Sequence, residues 1–175
     1  MKLKLGLLLC LAFILLSFGL PKNIQKKVDK EIKDIFTIES FAFNEVILSD
    51  KIADSLPSKF NNNNLFKIES DTTLLGYAYL SQALSKTAEF DYLVLLDKDL
   101  IILKSKVLIY REDYGGEIGS KRWLKQFIGK TQNDTLKYGD NIIAISGATI
   151  SVRSMTNAIN NLLKSLKVLH FKNIL

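Results

Sequence analysis

Cysteine and histidine are almost missing from this chain: Cys10 and His170 are each the only residue of their kind among 175. A lone cysteine inside an apolar N-terminal run builds neither an intrachain disulfide nor a CxxC metal or redox pair. A lone histidine near the C-terminus leaves no His–Cys cluster for zinc and no Ser-His-Asp constellation. His170 therefore reads as a surface residue. A GxGxxG fingerprint for nicotinamide cofactors is absent, as is a matched acid and base. Charge of one sign is not concentrated either. The 24 basic residues face 18 acidic ones, for a net charge of +6, and the signs alternate, as in Lys26-Lys27-Val28-Asp29-Lys30-Glu31. A nucleic-acid reader would gather its cations on one face with aromatic platforms between them, so nucleic acid is not an expected partner. No segment repeats another.

What is present belongs to a globular protein. Hydrophobic residues make up 47% of the chain and charged ones 24%, a balance that supports one compact domain with a single core. Met1-Lys2-Leu3-Lys4, followed by an apolar run over residues 5–20, has the basic and hydrophobic regions of a secretory signal. The run falls short of the roughly 20 residues that comfortably span a bilayer. Ser17-Phe18-Gly19 places small residues where a signal peptidase reads, so cleavage after Gly19 is one expectation. An uncleaved anchor, accommodated by local thinning of the bilayer, is the other. Both put the domain outside the cytoplasm, in the periplasm or on the outer face of the cytoplasmic membrane, with membrane contact through the N-terminus if the leader is kept. Leu9 precedes Cys10, where a lipid-acceptor cysteine normally follows a small residue. The expected organisation is a signal or anchor over 1–20, an N-terminal helix and loop over 21–64, and the main body over 65–175.

Along that body the apolar periods change. From residue 22 to about 38, Ile24, Val28, Ile32 and Ile35 recur at helical spacing among Lys, Asp and Glu. Pro57, Ser58 and Asn61 to Asn64 read as a loop. Residues 65–68, 74–84, 90–96 and 100–110 are rich in aromatic and aliphatic residues and read as strands. Asp97-Lys98-Asp99 supplies a hairpin turn between the last two, and the unbroken Leu93-Val94-Leu95-Leu96 predicts burial on both faces of the sheet. Ser120 caps a predicted short helix over 121–128, with Trp123, Leu124, Phe127 and Ile128 inward and Gly129 as its stop. A last helix is expected over about 152–168. Val152, Met155, Ile159, Leu162 and Leu166 form its inner stripe, and Arg153, Asn157, Asn160 and Lys164 face water. Strands with flanking helices and no βαβ alternation give an α+β fold, mainly an antiparallel sheet flanked by helices in a single domain.

Chemistry concentrates at Ile143-Ala144-Ile145-Ser146-Gly147-Ala148-Thr149-Ile150-Ser151, a small, hydroxyl-rich stretch between an apolar run and a helix start. Gly147 permits positive φ or close approach of a ligand to the backbone. The first N–H groups of the following helix are unpaired and favour an anion. Ser146, Thr149 and Ser151 each carry an oxygen able to form a phosphoester. On chemistry alone two accounts stand: a phosphate-binding loop, or hydroxyls that merely cap the helix.

Ser146-Gly147-Ala148-Thr149 resembles the flavinylation motif of FMN-binding domains, found in the C subunit of sodium-pumping quinone reductases and the G subunit of Rnf complexes. The similarity runs over about residues 70–167. It takes in Gly76-Tyr77 on a strand, Glu112-Asp113 where the family has a Glu-Thr pair, the glycine-rich Gly115 to Ser120 stretch, and Gln126-Phe127 on a helix. The resemblance implies FMN joined through its phosphate to Thr149, with Ser146, Gly147, Ala148 and Ser151 around the link. It also implies a separate Mg²⁺-dependent flavin transferase, for which Thr149 is substrate: its hydroxyl attacks the FAD pyrophosphate and AMP leaves. Glu112, as an acid in a glycine-flanked stretch, is a candidate acceptor for flavin or ribityl groups. Asp113 stands beside it, and Tyr114 is the tyrosine expected to meet the flavin, whereas Tyr77, Tyr79, Tyr92 and Tyr110 read as packing. Two positions depart from the family pattern. Ile143 stands where an acid is usual, with Asp140 three residues further back, and Asp113 replaces a threonine, removing a hydroxyl and adding a charge.

The expected function is an exported flavoprotein relaying electrons from a membrane-bound donor to an extracytoplasmic acceptor, a carrier more than an enzyme with its own turnover. The alternative keeps the same fold as a binding module with no flavin or a non-covalent one. A self-contained flavin reductase is opposed by the missing GxGxxG.

Overall fold

The computed structural model of the chain describes residues 20–61 and 63–175. The expected signal or anchor therefore lies, apart from Leu20, outside the described residues. Five strands make one antiparallel meander in the order β1-β2-β3-β4-β5: β1 (Ala42–Glu45), β2 (Leu65–Ser70), β3 (Thr73–Leu84), β4 (Glu89–Asp97) and β5 (Ile102–Ile109). Helix α1 (Lys22–Phe36) covers one face and α4 (Thr149–Phe171) the other. The single-turn α2 (Asp50–Ala53) and α3 (Lys121–Leu124) lie in the connections, and a 3₁₀ turn, Lys125–Phe127, continues α3. The α+β expectation holds.

Register explains why β4 is apolar without alternation. On one face Tyr77, Tyr79 and Ala83 stand opposite Leu96, Val94 and Phe90, and on the other Ala78 and Leu80 stand opposite Leu95 and Leu93. The first set belongs to the core under α4 and the second to the core under α1. Both faces of β4 are covered, so period-2 polarity vanishes there. Val152, Met155, Ile159, Leu162 and Leu166, all fully buried, seat α4 on the sheet. At about 1.5–3 kcal/mol for each large apolar side chain removed from water, this stripe secures the helix whose first turn carries Thr149. Helix α1 buries Val28 and Ile32 and is also tied by charge: buried Glu31 pairs with Lys104 and Lys106 of β5, and Lys27 Nζ donates to Leu108 O at 2.6 Å.

Two elements and two residues differ from expectation. Strand β1 and helix α2 carry no sequence signal: β1 contributes only Phe43 to the core, too few residues for a period. Ile128 is 52% exposed, because the chain leaves the 3₁₀ turn there with extended backbone, φ −64° and ψ 135°, which swings it out of the inner stripe. Asn160 does not simply face water: its side chain accepts from Leu136 N at 2.8 Å and donates to Leu136 O, fastening the preceding loop to α4.

Candidate functional site

The site assembles at the start of α4. Thr149 is its first residue, and Ala148 is the N-cap, with φ −119°, ψ 22° and no side-chain hydrogen bond to the helix. Capping by Ser or Thr is thus not what this stretch does. Among the described residues the N–H groups of Thr149, Ile150 and Ser151 face no side-chain acceptor, and they sit at the positive end of a 23-residue helix. Residues 145–148 form a turn, with Ala148 N donating to Ile145 O at 3.2 Å. Gly147 lies in it at φ +82°, with nothing within 4 Å of the position a Cβ would take. Backbone conformation, and not crowding, is what asks for glycine.

The three hydroxyls separate cleanly. Ser146 and Thr149 are exposed, whereas Ser151 is 3% exposed and its Oγ lies 3.0 Å from Tyr110 Oη. Tyr110 Oη also donates to Tyr114 O at 3.1 Å. Gly115, at φ +84°, brings the same turn against Ala148: a Cβ there would come within 2.7 Å of Tyr110 Oη and 3.5 Å of Ala148 Cβ. The fold in this way carries the 112–115 turn to the motif. Tyr114 stands out from it, 85% exposed, and Asp113 is exposed beside it.

Glu112 turns elsewhere. Its Oε1 accepts from Ser85 Oγ at 2.7 Å, Thr87 N at 2.6 Å, Thr87 Oγ1 at 3.1 Å and Ala88 N at 3.1 Å. The Thr87 N–H, then the Ser85 hydroxyl, hold the carboxyl below its ordinary value. This carboxylate closes the β3–β4 hairpin, and among the described residues no hydrogen bond joins it to the Thr149 loop.

On its other side the loop is clamped by residues 121–127. Trp123 Nε1 donates to Ile143 O at 2.7 Å, Ile143 N donates to Gln126 Oε1 at 2.8 Å, and Gln126 Nε2 returns to Trp123 O at 2.9 Å. Both backbone polar groups of Ile143 are thus satisfied, and its side chain is left 69% exposed. A mainly apolar cleft of about 420 Å³ opens here, lined by Trp123, Gln126, Ile143, Ala144 and Ile145, with Arg122 and Lys125 among its other lining residues. Arg153, the cation nearest in sequence to Thr149, lies over the Tyr138 ring, 4.7 Å from its centroid.

Residues 87–164, which hold the 112–115 turn, the Trp123–Gln126 clamp and the Thr149 loop, match the model of the FMN-binding domain family. The chain carries an FMN-binding domain. FMN is the cofactor of that family, and the residues present fit it. An exposed hydroxyl stands beside N–H groups with no side-chain acceptor at a helix start, where phosphate binds well. Exposed apolar side chains that a flavin ring could cover are present at Ile143, at Ile150 and, on the 112–115 turn, at Tyr114. Among solved structures, the chain is similar to the crystal structure of Shewanella oneidensis NqrC, at 21% identity and a TM-score of 0.48, over 72% of this chain and 70% of that one. No curated protein matches the sequence.

Two features of this FMN-binding domain escape sequence reading. Tyr110 reads as strand packing, and its ring does meet Phe90 at 5.9 Å, but its hydroxyl joins the site. Gln126 and Trp123 are 17 and 20 residues from Ile143, and no spacing rule connects them to it.

Proposed function

We propose that this chain is an electron-transfer flavoprotein that holds FMN as a phosphoester on Thr149, outside the cytoplasm and next to a membrane. The observation that carries the reading is the Thr149 side chain. Inside the stretch that matches the FMN-binding domain family, it stands exposed on the first residue of a long helix that no side chain among the described residues caps. Burial of Ser151 favours Thr149 or Ser146 as the acceptor, and only Thr149 lies within the helix turn whose N–H groups suit a phosphate. Bound FMN supplies one- and two-electron chemistry. The chain supplies the acceptor oxygen, the N–H groups and the apolar rim that limits water. Arg122 and Lys125 line the cleft together with Glu117, an excess of one positive charge that weakly favours negative charge there. Thr149 is in this reading the substrate of a flavin transferase. An extracytoplasmic site, expected from the leader, requires a membrane-bound donor, because cytoplasmic nicotinamide does not reach it.

The mass of the intact protein purified from its own host tests the proposal. A gain equal to FMN less water is expected, located on the peptide that contains Thr149. An unmodified mass, repeated after co-expression with an active flavin transferase, overturns it in favour of a flavin-free binding module. One observation favours that second reading. Ile143 puts an exposed apolar side chain where the resemblance expects an acid, which alters the surface a transferase would meet but not the fold, since only its backbone is engaged.

A further inference from the structure

The structure assigns to Tyr110 the role of a positioning residue: its hydroxyl holds the first turn of α4, and with it Thr149, in the geometry that accepts the flavin phosphate. This deepens the proposed attachment at Thr149 and rests on that reading. A tyrosine hydroxyl has one proton. Tyr114 O is purely an acceptor, so Tyr110 donates there at 3.1 Å, and the 3.0 Å contact with Ser151 is then a bond donated by Ser151. The direction of the relay, from Ser151 to Tyr110 to the Tyr114 carbonyl, is fixed. Its fixed end is the sheet: Tyr110 directly follows β5, whose last residue, Ile109, pairs with Asp91 of β4, and its ring packs on Phe90.

The other end is a helix start with no side-chain cap among the described residues. Uncapped helix ends fray, because the first N–H groups gain nothing by staying in register. Ser151 is the third residue of α4, so its hydroxyl bond ties that turn to the sheet two residues beyond Thr149. The first hydrogen-bonded amide of the helix, Val152 N to Ala148 O at 2.9 Å, depends on the same turn. Gly115 shows how closely the parts are set: any Cβ there would displace the Tyr110 hydroxyl. From the other side, the Trp123–Gln126 clamp holds Ile143, so the segment that carries Thr149 is fixed at both ends.

The test uses the full chain, FAD and the host's flavin transferase, with wild type, Tyr110→Phe, Ser151→Ala and the double variant. Loss of one hydrogen bond of ordinary strength predicts roughly a five- to tenfold fall in the flavinylation rate. The fall is expected in kcat, with KM for the chain unchanged, because the surface the transferase docks on is intact. The double variant should be no slower than Tyr110→Phe alone, since both changes remove one shared bond. Independently of flavin, amide hydrogen exchange in unmodified protein should speed up at Val152 and Arg153 in Tyr110→Phe, with β3 and β4 unaltered. Wild-type rates in Tyr110→Phe, or unchanged exchange at the helix start, overturn the inference. Slowing of flavinylation through KM alone also overturns it, as that would mark a docking contact. Wild type that takes no flavin defeats the attachment reading instead, and the exchange comparison still decides whether Tyr110 orders the helix start.

Discussion

Replacing Thr149 with valine separates attachment from folding more sharply than any other change to this chain. The two side chains share shape and β-branching, so helix propensity at this position barely changes. Thr149 is exposed and caps nothing, and a surface substitution of that kind moves unfolding free energy by no more than about 0.5 kcal/mol. Ser151→Ala is the matched control: it removes a buried hydroxyl bonded to Tyr110 and should cost about 1 kcal/mol. Flavin should respond in the opposite order. Thr149→Val should carry none, whereas Ser151→Ala should still be modified, only more slowly. Urea unfolding followed by circular dichroism gives the stabilities, and in-gel fluorescence after denaturation reports covalent flavin. Fluorescence that persists in Thr149→Val would refute the reasoning and point to Ser146, the other exposed hydroxyl of the loop. A loss of several kcal/mol in the same variant would show that the side chain supports the fold.

Gly147→Ala should cost about 1–2 kcal/mol through positive φ alone, since a Cβ there meets no atom within 4 Å; a variant as stable as wild type would show that the turn relaxes. Glu31 gives a pH signature. Burial pushes its pKa up, but the hydrogen bond and charge of Lys104, with Lys106, outweigh this and leave it below 4.5. The stability it contributes is therefore complete above about that pH and lost as pH falls through the lower folded value. Glu31→Gln should lower stability at neutral pH by about 1–3 kcal/mol, allowing for the partial exposure of both lysines, and flatten the acid limb of the stability profile. An unchanged acid limb in urea titrations would exclude this pair as its source. A reporter fused after Ile38 should be active only outside the cytoplasm, because Lys2 and Lys4 retain the N-terminus inside; a fluorescent cytoplasmic fusion with silent phosphatase would defeat both export and the need for a membrane-bound donor.

Local patterns were sufficient where a segment's own side chains decide its state. Spacings of three and four marked α1 and α4, the apolar runs marked β2 to β5, and the turn residues Asp97 to Asp99 marked the last hairpin, because these signals act within a few residues. The hydroxyl-rich stretch from Ile143 to Ser151 was visible for the same reason. Packing alone decided the rest. Strand β1 forms because β2 offers it a partner, and Phe43 stacks on Phe66 with ring centroids 4.2 Å apart, a gain that no four-residue segment reveals by itself. Glu112, an acid in a glycine-flanked stretch, could serve a ligand or a turn, and only the fold shows that the β3–β4 hairpin presents four donors to its Oε1. Tyr110 and Ser151 lie 41 residues apart, and only the sheet and the seating of α4 bring their hydroxyls within 3.0 Å. Sequence by itself determines which groups are available, since residue type and local period are written in it. Which of them meet is decided by long-range burial, the force that docks α4 on the sheet and leaves Thr149 exposed and Ser151 enclosed.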